Sequence, residues 1–181
     1  MHTTVFDGDI RGNRIVIRYL TENDAPLLQD YINEVSREQT YITYQGEQVT
    51  FEEEVAYVKT FMTHMMEHRA VKLLAFHGGS LIGVADLYLK GRVEGHVGVF
   101  GITMRKPWRN KGVGSCLMDY VLKEGIAHIK GLQIITLGVF ANNAIAQRMY
   151  TKKGFSRYGL LPGGLLHKGE FVDHVYMYKK V

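Results

Sequence analysis

Cysteine, proline and long apolar runs are all scarce in this chain of 181 residues. The single cysteine, Cys116, cannot form an internal disulfide, which favours a reducing compartment. No apolar stretch approaches the ~20 residues that cross a membrane, and the first ten residues lack both a basic start and an apolar core. We therefore expect a cytoplasmic protein that does not act at a membrane.

The three prolines are widely spaced, and the chain contains no repeat, low-complexity tract or linker rich in proline and serine. Because no change of composition divides the chain, we predict one domain over residues 1–181. A lone cysteine also provides no cluster of Cys and His ligands, so no metal site is predicted.

The two halves of the chain carry opposite net charge. Residues 1–90 contain eight Lys or Arg against thirteen Asp or Glu, whereas residues 91–181 contain fourteen against five. A nucleic-acid-binding protein more often presents one continuous basic face with interleaved aromatic residues, so nucleic acid is disfavoured as a partner. The asymmetry suits an anionic ligand on one side and a cationic ligand on the other, and it also suits an uneven scatter of surface charge.

The order of apolar patterns predicts an α/β fold with a mixed sheet. Capping signals at Thr21 with Asp24 and at Thr50 with Glu53 predict the first two helices, and further helices are predicted over about 112–129 and over 143–152. The segment 33–48 between the first two helices is long, aromatic and acidic, so we expect a functional loop there. Strands are predicted over residues 14–20, 71–77, 81–89, 93–104, 132–140 and 170–180.

The stretch RNKGVG, residues 109–114, lies between a predicted strand and a predicted helix. A helix N-terminus leaves its first N–H groups unpaired and carries partial positive charge, so it is suited to phosphate. Gly112 and Gly114 let the backbone approach a diphosphate, and Arg109 and Lys111 add positive charge. The stretch is neither a P-loop nor a three-glycine dinucleotide fingerprint, and alone it is a weak signal of phosphate binding.

A second motif, N-x-x-A-x-x-x-Y-x-x-x-G-F, follows one helix and one strand later and begins at Asn143. With both motifs, the chain resembles the GNAT superfamily of acetyl-CoA-dependent N-acetyltransferases, whose pyrophosphate loop reads Q/R-x-x-G-x-G/A. The resemblance is strongest over residues 94–156 and, in the order of elements, extends over nearly the whole chain. It implies a single-domain GNAT-like fold with a mixed, mostly antiparallel sheet of about seven strands, flanking helices and a splayed central strand pair.

The resemblance implies that acetyl-CoA is the co-substrate, without a metal. It also implies that the loop holds the diphosphate, that the end of the preceding strand polarises the thioester carbonyl, and that Tyr150 protonates the leaving sulfur. Asn143 has a second interpretation as a plain helix cap, and Tyr150 as a half-buried packing residue. The implied cofactor-binding residues are Ile102, Thr103, Met104, Arg109, Asn110, Lys111, Gly112, Val113, Gly114, Ser115, Asn143, Ala146 and Tyr150.

The general base is not evident from the sequence. Many relatives place a glutamate in the middle of the strand before the loop, whereas the comparable stretch of this chain reads GVF at residues 98–100. Glu94 and His96 at the beginning of that strand are the candidates, acting through water, and histidine is better tuned to neutral pH. A structural or solvent-exposed role is the alternative for either residue.

We therefore expect transfer of an acetyl group by direct attack in a ternary complex, with a small-molecule or peptide amine as the acceptor. The acidic segment with Glu34, Glu38 and Glu47 favours a cationic acceptor, such as a polyamine, a protein N-terminus or lysine, or a small amine. The alternative is a non-catalytic acyl-CoA-binding sensor or assembly module. The resemblance further implies homodimerisation through the final strands.

Overall fold

Residues 3–181 are described in a computed structural model. Eight strands form one sheet in the order β1-β2-β3-β4-β5-β6-β8-β7, and four α-helices pack on it. The strands are β1 (Thr4–Ile10), β2 (Asn13–Tyr19), β3 (Ala70–His77), β4 (Ser80–Leu89), β5 (Val97–Met104), β6 (Ile134–Phe140), β7 (Ser156–His167) and β8 (Glu170–Lys180). The helices are α1 (Ala25–Arg37), α2 (Phe51–Met66), α3 (Val113–His128) and α4 (Ala144–Lys152).

Every neighbouring strand pair is antiparallel except β5 and β6, which are parallel and joined through α3. A parallel pair needs such a crossover, because the chain must return to the same end of the sheet. The predicted mixed, mostly antiparallel α/β fold is thereby confirmed, with eight strands instead of about seven. Both strands that the sequence analysis missed, β1 and β7, are edge strands of the sheet.

The two missed strands have unfavourable strand composition. β1 contains Asp7, Gly8 and Asp9, and it pairs with β2 around a turn in which Arg11 and Gly12 both have positive φ. β7 contains Pro162 and three glycines, and its register with β8 shifts between Leu161 and Leu165. Proline and a bulge are tolerated there because an edge strand does not need every N–H.

The sheet separates two hydrophobic clusters. Consecutive residues of β3 alternate between them, with Leu73 and Ala75 in one cluster and Leu74 and Phe76 in the other. The first cluster contains the apolar side of α3, and the second contains the apolar sides of α1 and α2. The sheet therefore has α3 on one face and α1 with α2 on the other.

The helix starts follow the predicted capping signals. The Thr50 hydroxyl accepts a hydrogen bond from the Glu53 N–H while the Glu53 carboxylate accepts one from the Thr50 N–H, and α2 begins at the next residue. Thr21 and Asp24 form the same box, but it opens a short 3-10 turn before α1. In residues 3–181, no helix is both long enough and apolar enough to span a membrane.

Candidate active site

The parallel pair β5 and β6 separates in its second half. Pairing extends only over residues 97–99 of β5, and from Phe100 onward the edge that faces β6 has no strand partner. A cavity of about 870 Å³ opens at this gap and continues to the beginning of α3 and along α4. The predicted splayed strand pair is thus present, and it leaves main-chain groups of β5 available to an extended ligand.

Most of the predicted cofactor residues line this cavity. Lys111 and Val113 do not: Val113 is buried, and the exposed Lys111 ammonium lies 4.8 Å from the centre of the Trp108 ring. The predicted residues that the cavity brings together are Ile102, Thr103, Met104, Arg109, Asn110, Gly112, Gly114, Ser115, Asn143, Ala146 and Tyr150.

The backbone of the glycine loop has the conformation that an anion site requires. Asn110 and Gly112 are left-handed, with φ of 62° and 87°, and Gly112 is the residue from which α3 begins. The first hydrogen bond of the helix joins the Cys116 N–H to the Gly112 carbonyl. The preceding N–H groups, including those of Gly114 and Ser115, have no partner within the helix, and both residues line the cavity.

The cavity is lined by cations and, among residues 3–181, by no carboxylate; its cations are Arg11, Arg109, Arg148, Lys152 and Lys153. Arg11 was not predicted, because it reaches the site through the turn between β1 and β2, far from the loop in sequence. Its guanidinium donates to the Asn110 carbonyl over 3.3 Å. Such a concentration of positive charge suits a ligand with several phosphates.

Arg105 and Arg109 are paired with two glutamates at the C-terminal end of α1. The Arg109 Nε donates to the Met104 carbonyl over 2.9 Å, and its Nη2 lies 2.7 Å from a Glu38 carboxylate oxygen. Arg105 lies 3.2 Å from the carboxylate of Glu34. Glu34 and Glu38 therefore do not line an acceptor cavity as the sequence analysis expected, and they join α1 to the phosphate side of the site.

Tyr150 is 7% exposed and contacts the Phe100 ring edge-on in the gap between the strands. Burial raises the pKa of Tyr150 to about 12, so the phenol keeps its proton at neutral pH. Asn143 caps α4, because its Oδ1 accepts from the Ala146 N–H over 3.2 Å. Asn143 also lines the cavity, so a capping role and a ligand-binding role are compatible.

The structure does not bring Glu94 and His96 to this site. Glu94 lies in a short 3-10 turn, is exposed and accepts a hydrogen bond from Lys90 over 2.6 Å. His96 is exposed just before β5, and six residues of extended chain separate it from Ile102, a span of about 20 Å. Neither residue lines either cavity of the site, so the prediction that they act as the base is not supported by their position.

A second cavity of about 570 Å³ lies between the sheet and the helices α1 and α2. It shares residues 101–103 of β5 with the first cavity, so the two meet at the separated strand. Four carboxylates and one ammonium line it, from Glu47, Glu53, Glu54, Asp86 and Lys72. Its apolar wall includes Leu28, Tyr31, Ile42 and Val84.

The charges deepest in the second cavity are organised around Lys72, which is 4% exposed. Its ammonium donates to Asp86 Oδ2 over 2.8 Å and to the Tyr57 hydroxyl over 2.7 Å. Burial opposes the charge of Lys72, but Asp86 and Tyr57 more than compensate, and the pKa of Lys72 is raised. The ammonium also lies 4.8 Å from the ring centres of Tyr57 and Phe61.

Glu54 is the second charged residue buried in this cavity, with 6% exposure. Burial raises the pKa of its carboxyl group, and the positive charge of Lys72 opposes that rise in part. Glu54, Lys72 and Asp86 were not predicted, because they come from three separate elements. A detectable signal was present for two of them, because Lys72 and Asp86 interrupt apolar strands.

A metal centre is not evident in the part of the chain that the structure describes. His64 and His68 are spaced four residues apart, but α2 ends at Met66, between them. Within residues 3–181, no group of three or more His, Cys, Asp and Glu side chains is arranged to hold a metal ion.

Comparison with known proteins relates this geometry to one family. The model of the acetyltransferase (GNAT) family matches residues 30–155. The L-amino acid N-acetyltransferase AaaT of Escherichia coli (strain K12) is 32% identical over 121 residues, which are 63% of this chain and 74% of that protein.

Solved structures resemble the chain over nearly its full length. A GNAT-family acetyltransferase from Streptococcus pneumoniae is 27% identical with a TM-score of 0.84, over 92% of this chain and 99% of that one. A putative acetyltransferase from Salmonella typhimurium, solved with acetyl-CoA, has a TM-score of 0.79 at 17% identity, over 92% and 93% of the two chains. The second likeness is one of fold alone.

Proposed function

This chain belongs to the acetyltransferase (GNAT) family, and we propose that it transfers an acetyl group from acetyl-CoA to a cationic primary amine. The observation that carries this proposal is the meeting of two cavities of opposite charge at residues 101–103 of β5. The cationic cavity suits the diphosphate of the cofactor, and the acidic cavity suits an ammonium group. Acetyl transfer requires that the amine reach the carbonyl carbon of the thioester, and the residues that the two cavities share would be the place where this happens.

The residues of the cationic cavity fit acetyl-CoA. The N–H groups at the beginning of α3 and the cations Arg11 and Arg109 would hold the diphosphate, with Arg148 and Lys152 near its nucleotide end. The unpaired edge of β5 would receive the pantetheine arm, and Asn143 lines the same cavity. When bound, acetyl-CoA supplies the activated acyl group.

Two features of the chain would assist the transfer. Main-chain N–H groups near Ile102, Thr103 and Met104 would stabilise the negative charge that develops on the carbonyl oxygen. Tyr150 would donate a hydrogen bond to the leaving sulfur. A thiol has a pKa of about 8.5, below that of Tyr150, so complete transfer of the phenol proton is uphill unless a second proton replaces it.

The acidic cavity favours an amine without a neighbouring carboxylate. Its one ammonium, on Lys72, is already paired with Asp86, so a free amino acid would bring a carboxylate toward an excess of negative charge. Polyamines, small amines and peptide amines avoid this repulsion. The E. coli relative acts on L-amino acids according to its name. Because of the repulsion described above, we expect this chain to prefer other acceptors than that relative does.

The test is release of free thiol from acetyl-CoA with spermidine, a basic peptide with a free N-terminus, small alkylamines and L-amino acids. We expect release with a cationic amine and, in the Tyr150→Phe variant, a fall of at least about tenfold, equivalent to ~1.4 kcal/mol of barrier. A preference for free amino acids would contradict the acceptor assignment. Tight acetyl-CoA binding without thiol release from any acceptor would instead identify a non-catalytic acyl-CoA-binding module.

We also propose that the hairpin of β7 and β8 is the surface for homodimerisation. It exposes Leu161, Leu166 and Phe171 by 50%, 60% and 81%, the first two on the edge strand β7 and the third at the beginning of β8. A cluster of exposed apolar residues of this kind is typical of an interface between protein chains. Phe171→Glu should convert a dimer to a monomer in light scattering, whereas Val93→Glu, at another exposed apolar residue, should leave the mass unchanged.

A further inference from the structure

Strand β5 provides no carboxylate at the place where the two cavities meet. Gly101 faces Asp86 of the neighbouring strand, and a Cβ at Gly101 would lie 3.3 Å from Asp86 Oδ1. The missing side chain therefore leaves room for a carboxylate that comes from β4. Acidic groups for acetyl transfer must be supplied by elements beside β5.

The two deep carboxylates of the acidic cavity differ in their partners. Asp86 is already held by the Lys72 ammonium, which donates to its Oδ2 over 2.8 Å. Glu54, in the first turn of α2, makes no side-chain hydrogen bond within the described residues 3–181, although it is only 6% exposed. A buried carboxylate without a partner is costly unless a ligand completes it, and this one lines the cavity.

We propose that Glu54 is the general base that takes the proton from the acceptor ammonium, a role that rests on the acetyl transfer proposed above. The ammonium R–NH₃⁺ gives one proton to the Glu54 carboxylate, directly or through one water, and becomes a neutral amine. The amine nitrogen then forms the C–N bond as the C–S bond breaks. Its second proton replaces the one that Tyr150 gives to the thiolate, and Glu54 returns its proton to solvent.

The surroundings of Glu54 suit this role. Burial favours the protonated carboxyl and so raises the affinity of the carboxylate for a proton, whereas Lys72 limits that rise. Asp86, which is already paired with Lys72, would help to orient the acceptor ammonium. The titratable groups that line the cavity with Glu54 are Tyr31 of α1, Tyr44 and Glu47 of the following segment, Glu53 and Tyr57 of α2, Lys72 of β3 and Asp86 of β4.

The test compares Glu54→Gln with wild type on two kinds of acceptor. With the most active alkylamine of the panel, kcat/KM at pH 7 should fall by about 100-fold. With methoxyamine, which is already neutral at pH 7, the fall should be less than about threefold, because no proton has to be removed before attack. The pH profile with the alkylamine should lose its plateau and keep rising toward the pKa of the amine, about 10.

Glu52→Gln is the matched control, because Glu52 lies in the same turn of α2 and is exposed. It should leave both activities unchanged. Equal losses on both acceptors, or an unaltered pH profile in Glu54→Gln, would overturn the base role while leaving acetyl transfer intact. A wild type that releases no thiol would instead remove the proposed function itself.

A carbon-13 titration of the Glu54 carboxyl in the cofactor-free protein provides a readout independent of turnover. We expect a resonance that is absent from Glu54→Gln and titrates above the ordinary range of a glutamate. Titration in the ordinary range would contradict the proposal. Urea unfolding of both variants establishes that loss of activity does not come from loss of fold.

Discussion

The two cavities share residues 101–103 of β5, yet they differ in charge and in construction. The cationic cavity, which is the proposed cofactor cavity, is lined by five Arg or Lys and, within residues 3–181, by no carboxylate. The acidic cavity, which is the proposed acceptor cavity, has four carboxylates and one ammonium. Opposite potentials at one junction favour the binding of an anion and a cation in their own places and disfavour the reverse arrangement.

The cavities also differ in whether main-chain or side-chain groups form them. The cofactor cavity depends on main-chain groups, on the left-handed backbone at Asn110 and Gly112 and on the beginning of α3. The acceptor cavity depends on a buried side-chain network centred on Lys72. Its charges should therefore matter for folding, whereas the cations of the cofactor cavity should matter for binding.

The Lys72→Met variant tests most directly whether the charges of the acceptor cavity stabilise the fold. Removing the ammonium leaves Asp86 and the Tyr57 hydroxyl without their shared partner in a buried place. We expect the free energy of unfolding to fall by about 3 kcal/mol. Urea unfolding followed by circular dichroism measures the change.

The control is Lys152→Met, at an exposed lysine that lines the cofactor cavity. We expect its free energy of unfolding to stay within about 0.5 kcal/mol of wild type. Similar losses in the two variants would show that the cavities do not differ in their dependence on charge.

Replacing a glycine of the loop 109–114 by alanine tests whether the cofactor cavity depends on main-chain conformation. Gly112 has a φ of 87°, so Gly112→Ala places a side chain in a conformation that costs about 1 kcal/mol. The new Cβ would meet only ordinary contacts, the nearest being Arg11 at 3.5 Å, so the cost comes from the backbone. We expect both this loss of stability and about tenfold weaker acetyl-CoA binding by calorimetry, about 1.4 kcal/mol.

Gly114→Ala separates backbone conformation from ligand access. Gly114 lies within α3 and its added Cβ would be 3.4 Å from Met104, so alanine should not destabilise the fold. We expect weaker acetyl-CoA binding without loss of stability. If both variants lose stability equally, the left-handed backbone at Gly112 is not the cause.

The same difference in construction explains what could be predicted from the sequence. A main-chain site is concentrated in a short stretch, so the glycine loop and the motif beginning at Asn143 indicated the cofactor cavity and the order of the central elements. The acceptor cavity combines Glu54, Lys72 and Asp86 from three elements, and no local sequence pattern predicts that these side chains line one cavity. The base was sought at Glu94 and His96 because many relatives carry it on the strand before the loop, and the sequence does not reveal that Glu54 of α2 reaches a cavity beside that strand.

The pH dependence of the free energy of unfolding tests the cost of burying the Glu54 charge. Burial raises its pKa in the folded protein above the ordinary value of 4.5 in the unfolded chain. The unfolded chain therefore releases its proton first, and the folded state loses stability as pH rises from 4.5 through the raised value. Glu54→Gln removes this loss, so we expect it to stabilise the protein at pH 7.5 by on the order of 1 kcal/mol and to have no such effect below pH 4.

Urea unfolding at the two pH values measures this difference, with Glu52→Gln as the exposed control. An equal gain at pH 4 and pH 7.5 would indicate improved packing instead of the removal of a buried charge. No gain at either pH would contradict the burial cost assigned to Glu54.

The smallest expected effect lies at the boundary between the cavities. Glu38 pairs with Arg109, a cation that the diphosphate of acetyl-CoA would also use, so the carboxylate and the cofactor compete for one guanidinium. In Glu38→Gln the competition is removed, and acetyl-CoA should bind two- to threefold more tightly, about 0.5 kcal/mol for a partly exposed pair. Salt should reduce the difference, because it screens the pair.

Glu34→Gln is the matched control, because its partner Arg105 does not line the cofactor cavity and acetyl-CoA affinity should not change. Weaker binding in Glu38→Gln would mean that the carboxylate positions Arg109 instead of competing for it. In that case the segment after α1 would be part of the cofactor site in the empty protein, and the separation of the two cavities by charge would not extend to the chain that connects them.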